Sequence, residues 1–155
     1  MTEPASPNPV AWLLRAYAAE DREALVELWR QCGLTRPWNN PYLDIERKLK
    51  HRPEWLRIAE VRRSANRWRL IGSVMIGYEG HRGWVNYLAV HPQWRRHGLG
   101  RALMQHAEQL LLAEACPKVN LQIRSDNDAV RAFYARLGYQ VDEVTSMGKR
   151  LIQDD

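Results

Sequence analysis

YLAVHPQWRRHGLGRALMQHAEQLLLA, residues Tyr87 to Ala113, decides how the rest of the chain is read. The apolar run Trp84 to Val90 predicts a strand that breaks at His91-Pro92. A basic loop with two glycines follows, and then Leu99, Leu103, Ala107, Leu110 and Leu111 recur at helical spacing. A strand that turns into a helix in this way presents the unused N–H groups of the first helical turn, and the helix dipole adds partial positive charge there. Such a place suits an anion. Gly98 and Gly100 lack the Cβ atoms that would hold a phosphate off the backbone. Arg95, Arg96, His97 and Arg101 surround them with cationic or potentially cationic groups. The predicted guest is a phosphate-bearing cofactor, bound by neither a G-x-x-x-x-G-K-[ST] loop nor a G-x-G-x-x-G turn, since neither is present.

The bulk properties set the frame. A chain of 155 residues with 45% hydrophobic and 26% charged residues is long enough for one domain with its own core. Mean hydropathy is −0.54, and the longest apolar runs fall short of a membrane span. Net charge of +5 and an isoelectric point near 9.5 favour anionic ligands and require nucleic acid to be weighed. The excess is local, because His91 to Arg101 holds three arginines, two histidines and no carboxylate. Cys32 and Cys116 are too few for a disulfide framework and lack metal-ligand spacing, so both are expected as reduced thiols in a cytoplasmic protein. Residues 1–10 carry three prolines and no secretory pattern, and are expected as a flexible tail before a domain over 11–155.

Along the chain, Trp12 to Tyr17 reads as a first strand. Asp21 is placed to cap a helix with Leu25, Leu28, Trp29 and Cys32 on one face, ended by Gly33. Asn40-Pro41 opens a short second helix with Tyr42, Ile45 and Leu49 buried. Trp55 to Val61 and Trp68 to Gly77 read as antiparallel strands, and a polar turn from Tyr78 to Gly83 leads into the central strand. Beyond Cys116-Pro117, Val119 to Ile123 reads as the fifth strand, making a parallel crossover with the fourth. Asp126 is placed to cap a fourth helix, with Val130, Phe133 and Leu137 inward and Gly138 at its end. Tyr139 to Val144 and Met147 to Ile152 read as a last pair of strands. The expected fold is α/β: a single domain with a mixed, mostly antiparallel sheet of six or seven strands and four helices on both faces.

Two motifs now combine. V-x-P-x-x-R-x-x-G-x-G, as Val90, Pro92, Arg95, Gly98 and Gly100, resembles the coenzyme A pyrophosphate loop of the GNAT superfamily of acetyl-CoA-dependent N-acetyltransferases. Downstream, Asn127, Val130, Phe133, Tyr134, Gly138 and Tyr139 match N-x-x-[AV]-x-x-[FL]-Y-x-x-x-G-[FY] of the same superfamily. Asn127 and Tyr134 are seven residues apart, about 10 Å along one helical stripe, within reach of one ligand. C-G-L-T-R-P-W-N-N-P, D-I-E-R-K-L, G-Y-E-G-H-R-G-W and S-M-G-K-R-L-I are similar to the YpeA group of bacterial GNAT proteins.

The resemblance implies acetyl-CoA as cosubstrate, lying between splayed fourth and fifth strands. Pantetheine would bond the backbone of Leu88, Ala89 and Val90, and pyrophosphate would rest on Arg96, His97, Gly98, Leu99, Gly100 and Arg101 beside Arg95. Tyr134 matches the position that protonates departing CoA, with Asn127 beside it. Trp38, Asn39, Asn40 and Asp44, after the first helix, become candidates for contact with the acceptor amine. A glutamate that serves as base in relatives acetylating protein N-termini is replaced here by Gln122; Glu79, His81 or a water chain stand in, with Glu79 the tentative base. No metal is expected, because His51, His81, His91, His97 and His106 form no ligand pattern. Neither membrane nor nucleic acid is expected as a partner, and the reading allows for a homodimer. A CoA-binding regulator without catalysis is the alternative, and a basic nucleic-acid-binding protein the more distant one.

Overall fold

A computed structural model describes residues 12–154; the Pro-rich segment 1–10 lies outside the described residues. The elements run β1 (Trp12–Ala16), α1 (Arg22–Gln31), α2 (Pro41–Lys48), β2 (Leu56–Ser64), β3 (Arg67–Tyr78), β4 (Gly83–Val90), α3 (Leu99–Ala113), β5 (Val119–Asn120) and α4 (Asp128–Arg136). The strands lie in chain order β1-β2-β3-β4-β5. All pairs are antiparallel except β4 with β5, which is parallel, as the crossover through α3 requires.

Each face of the sheet buries its own core. On one side α3 lays Leu99, Leu103, Met104, Ala107 and Leu111 against Ile71, Ile76 and Val85, with Tyr134 from α4 joining them. On the other, Leu25, Val26, Leu28 and Trp29 of α1 and Ile45 of α2 cover Leu56, Ile58 and Ala89. Both thiols are free.

The sheet has five strands among the described residues, not six or seven. Segments 139–144 and 147–152, expected as the last pair of strands, make no ladder. Their apolar side chains stand exposed, Val141, Val144, Met147 and Leu151 among them. The reason lies in β5, expected from Val119 to Ile123 but paired only through Asn120, so it offers no continuing edge for more strands. Side-chain bonds hold this last segment instead: Lys118 to Asp142 at 2.8 Å, Gln122 to Ser146 at 2.5 Å and Arg47 to Asp154 at 2.7 Å.

Two caps also differ from expectation. Asn127, one residue past Asp126, caps α4, its Oδ1 accepting the Val130 N–H at 3.2 Å. Asp21 stands at the start of α1, but its carboxylate turns back to Ala18 N–H and to Arg15, which also reaches Glu60.

Candidate functional site

The site begins with a distortion in β4. Ser73 pairs with Ala89 and Met75 with Asn86, so two steps along β3 oppose three along β4. The extra residue is a bulge, which bends a strand and leaves one residue out of the ladder. Tyr87 takes the strain at φ 50°, in the left-handed region that tyrosine seldom occupies. Three contacts hold it there. Its carbonyl accepts from the buried Ser73 hydroxyl at 2.8 Å, and that hydroxyl accepts the Trp29 indole N–H at 2.9 Å. The Trp29 and Tyr87 rings stack at 3.7 Å and 14°. The Tyr87 hydroxyl donates to Asp44 Oδ2 at 2.6 Å. Burial and this carboxylate push the Tyr87 phenol far above its ordinary range, so it stays protonated.

Beside the bulge the sheet opens. Pairing of β4 with β5 is confined to Gly83–Val119 and Trp84–Asn120, which leaves the far edge of Leu88, Ala89 and Val90 without a strand. The wedge so formed is a cleft of about 1970 Å³, lined by Asn86 and Tyr87 on one wall and by Gln122, Arg124 and Tyr134 on the other.

At the end of β4 the chain turns through His91, whose Nδ1 accepts Gln93 N–H, into the basic loop. Arg96 has φ 67° and Gly98 φ 81°, so the loop alternates into the left-handed region and turns successive N–H groups to one side, as anion-binding nests do. The first bond of α3 is donated by Ala102 to the Gly98 carbonyl at 3.0 Å, leaving the N–H groups of Leu99, Gly100 and Arg101 outside the ladder. Arg95, Arg96, His97 and Arg101 are exposed, and among the described residues none is in an ion pair with a carboxylate.

The two glycines serve different ends. A Cβ on Gly98 would enter open space, so its requirement is conformational. A Cβ on Gly100 would stand 3.1 Å from Phe133 Cζ and 3.3 Å from Cε2, so this glycine lets α4 approach α3. Nest, free cations and open strand edge together fit a pyrophosphate with an extended amide chain, the shape of coenzyme A.

Tyr134 is 7% exposed, its ring edge-on to Phe133 at 5.0 Å and to Tyr139 at 5.6 Å. Among the described residues only Arg57 Nε and His106 Nε2 are fully buried side-chain polar atoms without a partner, so the Tyr134 hydroxyl, which no protein group engages, is not fully enclosed, and Tyr134 lines the cleft. Burial of the ring pushes the phenol up to about 12. It therefore holds a proton at neutral pH. Asn127 spends its carbonyl oxygen on the α4 cap, as its N-terminal place invites.

Glu79 is not brought to this cleft. It sits in the turn before β4, beyond the end where β4 and β5 are paired, and lines an adjoining pocket with His81 and Arg82 rather than the cleft itself. Its Oε1 accepts Arg82 N–H at 2.6 Å. Burial works against the charged form, but such backbone bonds together outweigh it, so its carboxyl is held below the ordinary range, which weakens it as a proton acceptor. Of the acceptor candidates, Asn39 and Asp44 line the cleft. Asn40 caps α2 through Tyr42 N–H at 3.0 Å, and Trp38, half exposed, lies under the Arg124 guanidinium at 5.5 Å. Sequence reasoning missed Tyr87, Ser73 and Trp29, whose only signal was a tryptophan in the buried stripe of α1.

The profile of the Acetyltransferase (GNAT) family matches residues 15–139. This chain belongs to the GNAT family. An acetyltransferase of Pectobacterium atrosepticum is 46% identical over 141 residues, covering 91% of this chain and 96% of its own length. One of Sodalis glossinidius is 46% identical over 142 residues, with the same coverage. Among solved structures, Ard1 from Thermoplasma volcanium superposes with a TM-score of 0.69 at 22% identity, over 86% of this chain and 85% of that one. The ribosomal-protein-S18-alanine N-acetyltransferase of Escherichia coli superposes with 0.64 at 20% identity, over 83% and 77%. These two show the shared fold. Membership in the GNAT family makes the chain an acetyltransferase with acetyl-CoA as donor. Among the described residues no cluster of His, Cys, Asp and Glu is arranged for a metal, and no helix is long and apolar enough to cross a membrane.

Proposed function

We propose that this GNAT protein passes an acetyl group directly to a primary amine, with Tyr134 as the general acid. The observation that carries the reading is the Tyr134 phenol: a buried ring on the wall of the cleft, with a hydroxyl that no protein group engages among the described residues. Bound acetyl-CoA supplies an activated acyl group and a thiol leaving group. The nest from Arg95 to Arg101 holds its phosphates, and the free edge of Leu88, Ala89 and Val90 orients its amide chain. A backbone N–H beside the bulge at Tyr87 polarises the acyl oxygen in the manner of an oxyanion hole. Tyr134 gives its proton to the departing sulfur and recovers one from the amine nitrogen.

The amine enters on the α1–α2 side, where Asn39, Asp44 and Tyr87 stand. Gln122 cannot accept a proton and is tied to Ser146, and Glu79 serves its own turn. The test is an amine panel read by release of free CoA, alongside the thermal shift produced by acetyl-CoA alone. Acetylation of one amine class, lost in Tyr134→Phe, supports the proposal; binding of acetyl-CoA with no turnover across the panel would favour a regulator that only binds the cofactor.

A further inference from the structure

The charges on the acceptor side do not cancel. Asp44 and Asp154 are met by Arg47, at 3.3 Å and 2.7 Å, and Arg150 lies 3.8 Å from Asp154, so two carboxylates and two guanidiniums form one neutral cluster. Arg36, Arg124 and Lys48 remain, and the Lys48 ammonium is spent on the Ile76 carbonyl. Both arginines line the cleft. Arg36 donates only to the carbonyls of Gly33 at 2.8 Å and Thr35 at 3.0 Å, both through one terminal nitrogen. Arg124 lies over the Trp38 ring, and among the described residues no carboxylate pairs with it. A guanidinium carries five donor hydrogens in a fork suited to carboxylate or phosphate, so both keep most of their capacity.

Asp44, although met by Arg47, keeps accepting capacity. Its Oδ2 accepts from Tyr87 and its Oδ1 from Arg47, one bond each, where a carboxylate has about four lone-pair sites. Each oxygen thus retains room for an N–H. Tyr87 ties this carboxylate to the bulge of β4, beside the strand edge where the acyl group would lie, whereas Arg124 and Trp38 stand at the rim.

We propose that the acceptor is a small zwitterion, whose ammonium is received by Asp44 and whose anionic group, carboxylate or phosphate, is received by Arg36 and Arg124. This rests on the amine-transfer reading above. The ammonium, held by Asp44, loses one proton to water. The freed nitrogen bonds the acyl carbon as the carbon–sulfur bond breaks. Sulfur takes the Tyr134 proton, and Tyr134 recovers the second nitrogen proton.

Paired amines test it: free amino acids against their amides, and amino-sugar phosphates against the unphosphorylated sugars, each with acetyl-CoA and the full chain. The anionic member of one set should have a kcat/KM higher by about ten- to a hundredfold, the worth of one charge-assisted hydrogen bond. The set in which this appears identifies the anion. Arg124→Gln and Arg36→Gln should erase the preference through KM with kcat nearly kept, while Asp44→Asn should slow every amine, neutral ones included. Equal rates within both sets, or a preference that survives both arginine variants, would overturn the proposal, as would turnover confined to peptide N-termini of any charge. Calorimetric titration of the same pairs into the CoA-saturated protein separates the two readings. Preferential binding of the anionic member, weakened in Arg124→Gln, upholds the site even if transfer fails; equal binding within each pair, or none, sinks it.

Discussion

Replacing Tyr134 by phenylalanine separates chemistry from packing. The ring keeps its edge-on contacts with Phe133 and Tyr139, and the removed hydroxyl has no protein partner among the described residues and is not fully enclosed. Stability should therefore change by less than about 0.5 kcal/mol, the scale of a substitution that leaves no cavity and no orphaned group. In a domain of this size that is a shift of about 1–2 °C in Tm. Loss of a general acid, in contrast, lowers kcat by about 10² to 10⁴, or about 2.7 to 5.5 kcal/mol of barrier. The pH profile adds a second reading. With its pKa near 12 the phenol stays protonated through neutral and mildly alkaline pH, so the wild-type enzyme keeps its acid. The variant should recover as pH approaches the thiol range near 8.5, where the leaving group needs less help. Free CoA release with an amine acceptor measures the rate, and calorimetry with acetyl-CoA measures affinity. A variant with wild-type kcat at neutral pH would refute the assignment; so would a rate loss matched by an equal loss of acetyl-CoA affinity.

Gly98→Asn and Gly98→Asp share the left-handed strain, about 1 kcal/mol with no clash, and differ in charge. The acetyl-CoA thermal shift, about 2.7 kcal/mol at a hundredfold excess over Kd, should survive in Asn and vanish in Asp. Gly100→Ala should destabilise by pressing on Phe133, and in a Phe133→Leu background the same change should become stabilising by about 0.5–1 kcal/mol, as read by urea denaturation. Burial works against the Asp21 carboxylate, but bonds from Arg15 and Ala18 outweigh it and hold its pKa below the unfolded value. Its contribution is present above the ordinary carboxylate range of about 3.9 and is lost as pH falls through the folded pKa. Urea midpoints taken down the acid limb should fall less steeply in Asp21→Asn than in wild type; parallel limbs would refute the linkage.

The helices were legible because local chemistry marks them: Asn40-Pro41 starts one, Gly33 and Gly138 end two others, and apolar stripes select their buried faces. The basic loop was legible for the same reason, its cations and glycines being adjacent in the chain. What escaped depends on distant partners. Gly100 looked like a phosphate-cradle glycine, but its neighbour is Phe133, brought in by the α3–β5–α4 path. The left-handed Tyr87 has no local cause; Trp29 and Ser73 impose it from two other elements. The stretch after Tyr139 was expected as two more strands, but a strand needs a neighbouring edge, and β5 ends too soon to provide one. Glu79 was chosen for nearness to β4 in sequence, a measure that does not tell the closed end of the wedge from the open one.

Tyr87 performs two tasks with one residue: its backbone opens the sheet, and its phenol steadies the Asp44 carboxylate of α2. Donor fit and acceptor fit are therefore mechanically geared to each other. A substitution in α1 or α2 that enlarges the amine side will also alter how far β4 bows away from β5. Anyone seeking to change the acceptor scope of this enzyme would do best to keep the Trp29–Tyr87–Asp44 column whole and diversify the outer ring at Arg36, Trp38 and Arg124, where new shapes can be tried without detuning the cofactor's berth.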